Sequence, residues 1–301
     1  LFDIQVNGAF GVDFNDDALT LDAFQFACSK LRATGIGLFF PTIITAPVES
    51  MGARIGKIVS FIEQDSTLDS LVAGLHIEGP FISRQSGYRG THPEHAILDA
   101  QLDVAKRLLD FGRGRIRMLT LAPETDHQFK TTEYLTIQNV VVFGGHSDAT
   151  FDCLSQAIEH GLKGFTHLGN GCALEVQRHE NIISRVLALR KKLFVSLIAD
   201  GIHLPYWLLR SFVEIIGAEK VIITSDSMSA AGMPPGEYLI SGQPIVVDAD
   251  RRTRHRDHNY LAGSASTLQE MRYRSDHWLP PNFAHVDLLF MRNATNLFNL
   301  T

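Results

Sequence analysis

The stretch VAGLHIEGP, residues 72–80, closes an apolar run on a histidine and a carboxylate, His76 and Glu78. The same ending recurs along the chain. VVVFGG runs into His146 and GFT into His167; VSLIAD ends on Asp200 with His203 three residues on, and VIITS runs into Asp226. In a parallel β/α barrel the C-terminal ends of the strands converge on one mouth, so residues about 150 apart in sequence can meet there. Imidazole and carboxylate groups gathered around one point, with a further acid beside them, are what a catalytic divalent metal requires.

Working outward from 72–80, strand and helix patterns alternate along almost the whole chain, as in a parallel sheet wrapped by helices. Strands are expected at about 2–7, 36–44, 71–78, 115–122, 139–145, 163–168, 194–199 and 220–225. Helices are expected near 20–34, 49–64, 100–111, 128–136, 151–160, 180–190, 205–216 and 264–275. Many of the strand patterns are continuous apolar runs, as strands buried on both faces should be. Eight of each make a (β/α)8 barrel occupying 1–301. The stretch 236–265 breaks the alternation and reads as a β-hairpin excursion, at about 236–262, with a polar, mobile turn at 249–258. RRTRHRDH in that turn reads as a solvated loop rather than a nucleic-acid contact.

Composition narrows the class. The 301 residues are 45% hydrophobic and 20% charged, as in an ordinary globular protein. There are 27 basic and 33 acidic residues, net −6, with no long basic run, which argues against nucleic acid as a partner. Cys28, Cys153 and Cys172 form no disulfide pattern and fit a reducing cytoplasm. No segment approaches 18 uninterrupted apolar residues, so no membrane partner is expected. The chain opens with LFDIQVNG, without Met, and stops after NATNLFNLT, so both ends read as truncated.

Residues two apart on a strand share a face, so His76 and Glu78 point the same way. A carboxylate buried at a barrel mouth needs a cation or donors, so Glu78 reads as a metal ligand or as the partner of a structural arginine. His76, one layer deeper, reads as a hydrogen-bonded core histidine. His146 and His167, each just past a strand, read as a ligand pair, and Ser147, Asp148 and Thr150 are placed to cap the next helix. Asp226 can move a proton between water and a leaving nitrogen, or cap a helix.

HIEGPF with RGTH, GGHSDAT, THLGN, IADGIH, SDSMSAAG and LAGSA, in this order and spacing, resemble the N-acetylglucosamine-6-phosphate deacetylases of the amidohydrolase superfamily, over nearly the whole chain. The resemblance implies a TIM barrel of the metal-dependent amidohydrolase type, with Glu78, His146 and His167 as metal ligands and Asp226 as catalytic acid/base. It implies that His92 contacts the sugar and orients or polarises the amide, and that Asn170, the Gly171 backbone and His203 bind substrate. Arg178 falls where the family has an arginine reaching the phosphate of a neighbouring subunit's substrate, which implies a homodimer.

The first strand departs from the His-x-His of many amidohydrolases: Gln5 and Asn7 stand there, weak ligands for zinc-like ions. One divalent metal is therefore expected, zinc first, with iron, manganese or cobalt as alternatives. Most of the family's accessory β-sandwich is expected to be absent, with the hairpin following the eighth strand. The activity implied is hydrolysis of the acetamide of an N-acetyl amino-sugar 6-phosphate. Rival readings are an amidohydrolase acting on another amide, a cyclic imide or a heterocycle to be deaminated, and a silent sugar-phosphate-binding homologue.

Overall fold

The computed structural model describes residues 1–256, 260–281 and 283–300. Eight parallel strands follow one another in sequence order around a single sheet. They are β1 (Phe2–Val6), β2 (Leu38–Ile44), β3 (Leu75–Glu78), β4 (Ile116–Leu121), β5 (Val141–Gly144), β6 (Leu162–Phe165), β7 (Phe194–Ile198) and β8 (Val221–Thr224). Each falls within a few residues of its expected position, because a strand buried on both faces shows as an apolar run. The helices between them bury one face each. Val48–Gln64 turns Met51, Ile55, Ile58, Val59 and Ile62 inward, and Tyr206–Ile216 does the same with Leu209, Phe212, Val213 and Ile216.

Side chains complete the barrel at its two irregular places. Between β8 and β1, Asp3 Oδ1 accepts from Thr224 Oγ1 at 2.8 Å and from Ser225 N at 3.0 Å, and Asn7 N donates to Ser227 O at 2.8 Å. Beside the top of β2, Asn15 stands in for a strand neighbour: Nδ2 donates to Thr42 O and Oδ1 accepts from Ile44 N, both at 2.9 Å. At the strand beginnings, opposite the mouth, Phe2, Phe40, Met118, Phe143 and Ile222 pack with Phe298 of the C-terminal segment. The helical stretch at 288–297 and the short helix Ser66–Leu71 were not expected from the sequence. The helix expected at 264–275 is confined to Leu268–Tyr273, followed by a 3-10 turn at Arg274–His277.

The excursion has one strand more than a hairpin. Three antiparallel strands, β9 (Gly236–Ile240), β10 (Gln243–Val247) and β11 (Thr253–His255), form its sheet. The turn expected over 249–258 is thus corrected: 253–255 is a strand, and 257 and 258 lie outside the described residues. Ile240, Ile245 and Val247 pack on Ile44, Met228 and Ala265, which fixes this small sheet over the barrel mouth. Gln243 Nε2 also donates to Thr91 O at 3.0 Å. Among the described residues no helix is long and apolar enough to cross a membrane.

Candidate active site

Three site residues share a backbone feature. His146, His167 and Asp226 each leave a strand at positive φ, 49°, 29° and 48°. Non-glycine residues adopt that region at a cost, and such strain concentrates at functional sites. Glu78 ends β3, and Gly79 after it has φ 84°, where a Cβ would lie 2.1 Å from Thr45 Oγ1. Glycine is required there because Thr45 holds the next group of the site.

Glu78, 3% exposed, is the centre. Its Oε1 lies 3.0 Å from His167 Nε2 and 3.4 Å from His146 Nε2, and its Oε2 lies 3.7 Å from His92 Nε2. No arginine pairs with Glu78 among the described residues. Glu78, His92 and His146 offer ligand atoms that all lie within 4.8 Å of one another. His146 carries the decisive detail. Its Nδ1 is 2.8 Å from Tyr88 O, a carbonyl that can only accept, so Nδ1 bears the proton. In the neutral ring, Nε2 then meets the carboxylate as a bare lone pair, an arrangement that suits a cation between them. The donor set of carboxylate and imidazoles is that of a zinc-type site.

Burial alone would push Glu78 up, but the His146 and His167 imidazoles outweigh it and hold the carboxylate well below its ordinary range. Burial pushes His167 down, and its bond to Glu78 more than reverses that, so its pKa is raised. A divalent ion can take the place of that proton, since metal binding displaces protons from its ligands. Burial, reinforced by His146, lowers His92 to about 3, which keeps its ring neutral. His92 Nδ1 lies 2.8 Å from Thr45 Oγ1, which is in turn 3.3 Å from Glu78 O, so the Thr45 hydroxyl sets the His92 tautomer.

Asp226 stands opposite. Its Oδ1 accepts from Gln5 Nε2 at 3.0 Å and Asn7 Nδ2 at 2.8 Å, and Gln5 Nε2 also donates to Glu78 Oε1 at 3.0 Å. One neutral amide thus bridges the two carboxylates. Burial raises Asp226 to about 6, with His167 opposing and Glu78 reinforcing the rise.

Around this core is a cleft of about 270 Å³ whose lining includes Asn170, Gly171, His203, Tyr260 and Leu261. Gly171 must be glycine: at φ 61° its Cβ would lie 2.9 Å from His146 Nδ1. His203 Nδ1 lies 2.7 Å from Asp200 Oδ2, and Asp200 also accepts from Ile202 N, His203 N and Ser264 Oγ. Burial lowers His203, but Asp200 outweighs it and raises its pKa. Arg178 is exposed on the loop after Asn170 and does not line the cleft of its own chain. His76, read as a core histidine, is one: its nitrogens lie 3.2 Å from Thr42 Oγ1 and 2.8 Å from Thr120 Oγ1.

No family model matches the chain. Over 273 residues, 90% of its length, the chain is 30% identical to the N-acetylglucosamine-6-phosphate deacetylase of Bacillus subtilis, covering 67% of that protein. The chain belongs to the N-acetylglucosamine-6-phosphate deacetylase family. Over 244 residues it is 31% identical to an N-acetylgalactosamine-6-phosphate deacetylase of Escherichia coli O157:H7, covering 81% of this chain and 63% of that one. The crystal structure of the family's member from Mycobacterium smegmatis superposes with a TM-score of 0.89 at 26% identity, over 99% of this chain and 77% of that one. The Thermotoga maritima member gives 0.86 at 25% identity, over 99% and 78%. The chain spans about two thirds or less of the length of these curated relatives, and the family's TIM-barrel fold is the fold described above.

Sequence reasoning missed the roles of four residues. Gln5 and Asn7 were read as poor metal ligands, with no sign that they would hold Asp226. Thr45 carried no signal, being one threonine just past the end of an apolar strand. Asp200 was noted at its strand end without its role as the anchor of His203, although an aspartate three residues before a histidine is a possible signal for such a pair.

Proposed function

We propose that the chain hydrolyses the acetamide of N-acetylglucosamine 6-phosphate to acetate and glucosamine 6-phosphate, using one zinc ion. The observation that carries this is the bare Nε2 of His146 aimed at Glu78, with a separately held carboxylate, Asp226, facing the same cleft. Glu78, His146 and His167 hold the ion, which when bound supplies Lewis acidity toward the amide carbonyl and lowers the pKa of water.

The chain's own residues do the rest. Gln5 and Asn7 occupy Oδ1 of Asp226, so Oδ2 is the oxygen that takes the proton from the attacking water. As the carbonyl carbon–nitrogen bond breaks, Asp226 returns that proton to the nitrogen, which leaves as the amine. The Thr45 hydroxyl donates to Glu78 O, so His92 donates to it from Nδ1 and turns its Nε2 to the cleft, where the ring orients the amide. His203, oriented by Asp200, receives the phosphate, with Asn170 and the Gly171 backbone along the sugar. Residues 1–301 act as one catalytic unit, and the three free cysteines fit a cytoplasmic setting.

The protein works as a homodimer in which Arg178 of one protomer reaches the site containing His203 of the other. Its loop exposes Leu174, 92% accessible, beside the cleft, and among the described residues no ion pair engages Arg178. Metal analysis together with turnover of the glucosamine and galactosamine 6-phosphate derivatives tests the whole reading. One metal per chain and turnover of the glucosamine compound are expected. Turnover of neither compound by fully metallated protein overturns it, and a preference for the other epimer corrects the sugar. Arg178→Ala is expected to raise KM for the 6-phosphate about tenfold, whereas a surface arginine without that role gives no change.

A further inference from the structure

Of LAGSA, 261–265, the first three residues line the cleft, and Ser264 behind them does not. Ser264 is 1% exposed, and its N–H, carbonyl and hydroxyl are all engaged. The N–H donates to Asp226 O at 2.8 Å, and the carbonyl accepts from Met228 N at 3.0 Å. This segment therefore runs beside the turn after β8 as a further rung, with Ser264 paired to Ser227 in parallel register. The hydroxyl makes different contacts. Its oxygen accepts from Ser266 N at 3.1 Å and lies 2.9 Å from Asp200 Oδ2, 64 residues away in sequence.

The two ends of that hydroxyl serve different purposes. The oxygen closes a local turn with Ser266, as serine often does. Burial would raise Asp200, but His203 outweighs it and holds the carboxyl well below its ordinary range. An ionised carboxylate only accepts, so the Ser264 hydrogen goes to Asp200. Asp200 takes two donors on each oxygen. Oδ1 accepts from Ile202 N and His203 N, and Oδ2 accepts from His203 Nδ1 and Ser264 Oγ. All but Ser264 belong to its own turn, 200–203. Without Ser264 the Asp200 side chain is held by that turn alone. His203 lines the cleft with Nδ1 committed to Asp200, which leaves Nε2 as the nitrogen for a ligand.

We propose that Ser264 is a positioning residue for the phosphate site: its hydroxyl fixes the Asp200 carboxylate, and through it the aim of His203 at the phosphoryl group. The inference rests on the sugar-phosphate reading above. Because its backbone also holds Asp226 O, one buried serine sets the phosphate end of the site against Asp226. Binding energy from a remote phosphate helps the chemistry only when that spacing is kept. Ser264→Ala removes the hydroxyl and keeps the N–H, so it loosens the phosphate end alone.

The test uses the metallated protein with Ser264→Ala, His203→Ala and the double variant. KM and kcat on the 6-phosphate and on the unphosphorylated N-acetyl sugar are paired with calorimetric titration of inorganic phosphate. Ser264→Ala is expected to raise KM for the 6-phosphate about tenfold, as for a lost hydrogen bond to a charged group. Phosphate affinity should fall by a similar factor, with kcat held within about twofold and a much smaller change on the unphosphorylated sugar. In the His203→Ala background the same substitution should add nothing, since a residue that acts through His203 has no effect once His203 is gone. If the alanine variant does not fold, Ser264→Cys, which donates only weakly, takes its place. A serine that merely supports the fold gives a lower Tm, equal losses on both sugars and losses that add. That result overturns the positioning role, as does an unchanged KM in Ser264→Ala beside a raised one in His203→Ala. Either leaves the sugar-phosphate reading standing. Weakened, non-additive phosphate binding, with neither sugar turned over by the unaltered protein, supports the positioning role and removes the deacetylase reading. If His203→Ala alters neither KM nor phosphate affinity, the phosphate lies elsewhere and the positioning role falls with it.

Discussion

Two layers of this barrel, one above the other, treat their polar groups differently. In the lower, both nitrogens of His76 find threonine hydroxyls, Thr166 Oγ1 donates to Gln5 Oε1, and Ser196 Oγ accepts from His167 N. In the upper, at the mouth, Asn7 Oδ1, His167 Nδ1 and Asn170 Nδ2 are buried without a partner. Buried polar atoms without partners are costly and are kept where function uses them. The saturated layer is framework; the unsaturated one is where we propose the chain meets metal and substrate.

Exchanging residues between these layers should separate chemistry from stability. Asp226→Asn should show the largest effect, a fall in kcat of about 10²–10⁴-fold with metal content unchanged, because the amide cannot take the proton. Turnover near that of the unaltered protein would remove Asp226 from the proposed step. Next, His146→Ala should release the metal, with an affinity loss beyond the roughly 10–100-fold typical of an outer-shell partner. His92→Ala should keep one metal per chain while losing activity. If metal analysis instead finds His92→Ala empty and His167→Ala loaded, the ligand set is Glu78, His92 and His146.

In the lower layer the effect should be on folding alone. His76→Leu leaves the Thr42 and Thr120 hydroxyls short of a partner and should cost about 2–4 kcal/mol in urea unfolding, with metal stoichiometry preserved. Loss of metal in that variant would mean that the layers are not separable. The smallest effect concerns Asp13, outside the barrel, which accepts from Asn15 N and Ser241 N. Burial raises its carboxyl to about 6, and those two bonds only partly offset the rise. The folded value lies above the unfolded one, so its contribution is full below about pH 4 and is lost as pH rises through about 6, up to about 3 kcal/mol. Asp13→Asn should flatten stability across that window, and an unaltered pH profile would show that Asp13 does not titrate there.

The framework was legible because each barrel strand is an apolar run bounded by turn residues. The short helix Ser66–Leu71 was hidden by its polar composition, and β11 by its charged sequence, where only Thr253 and His255 face inward. Within the site, Glu78, His146, His167 and Asp226 advertised themselves at strand ends. His92 lies on a loop, so only the resemblance pointed to it. The bond from Asn7 to Asp226 spans 219 residues and exists only once β8 closes on β1, so no local pattern could reveal it.

That closure has a consequence for the order in which the molecule becomes an enzyme. Glu78, His92, His146 and His167 all lie between residues 78 and 167, and a partial barrel could assemble them early. The proposed proton acceptor is different: Asp226 leaves the last strand, and the amides that steady it come from the first. The seam sewn by Asp3, Thr224 and Ser225 is therefore also the step that sets the proposed acid/base in place. On the proposed reading, a growing chain can gather its metal ligands while still inert, and becomes reactive only when the first and last strands of the barrel meet.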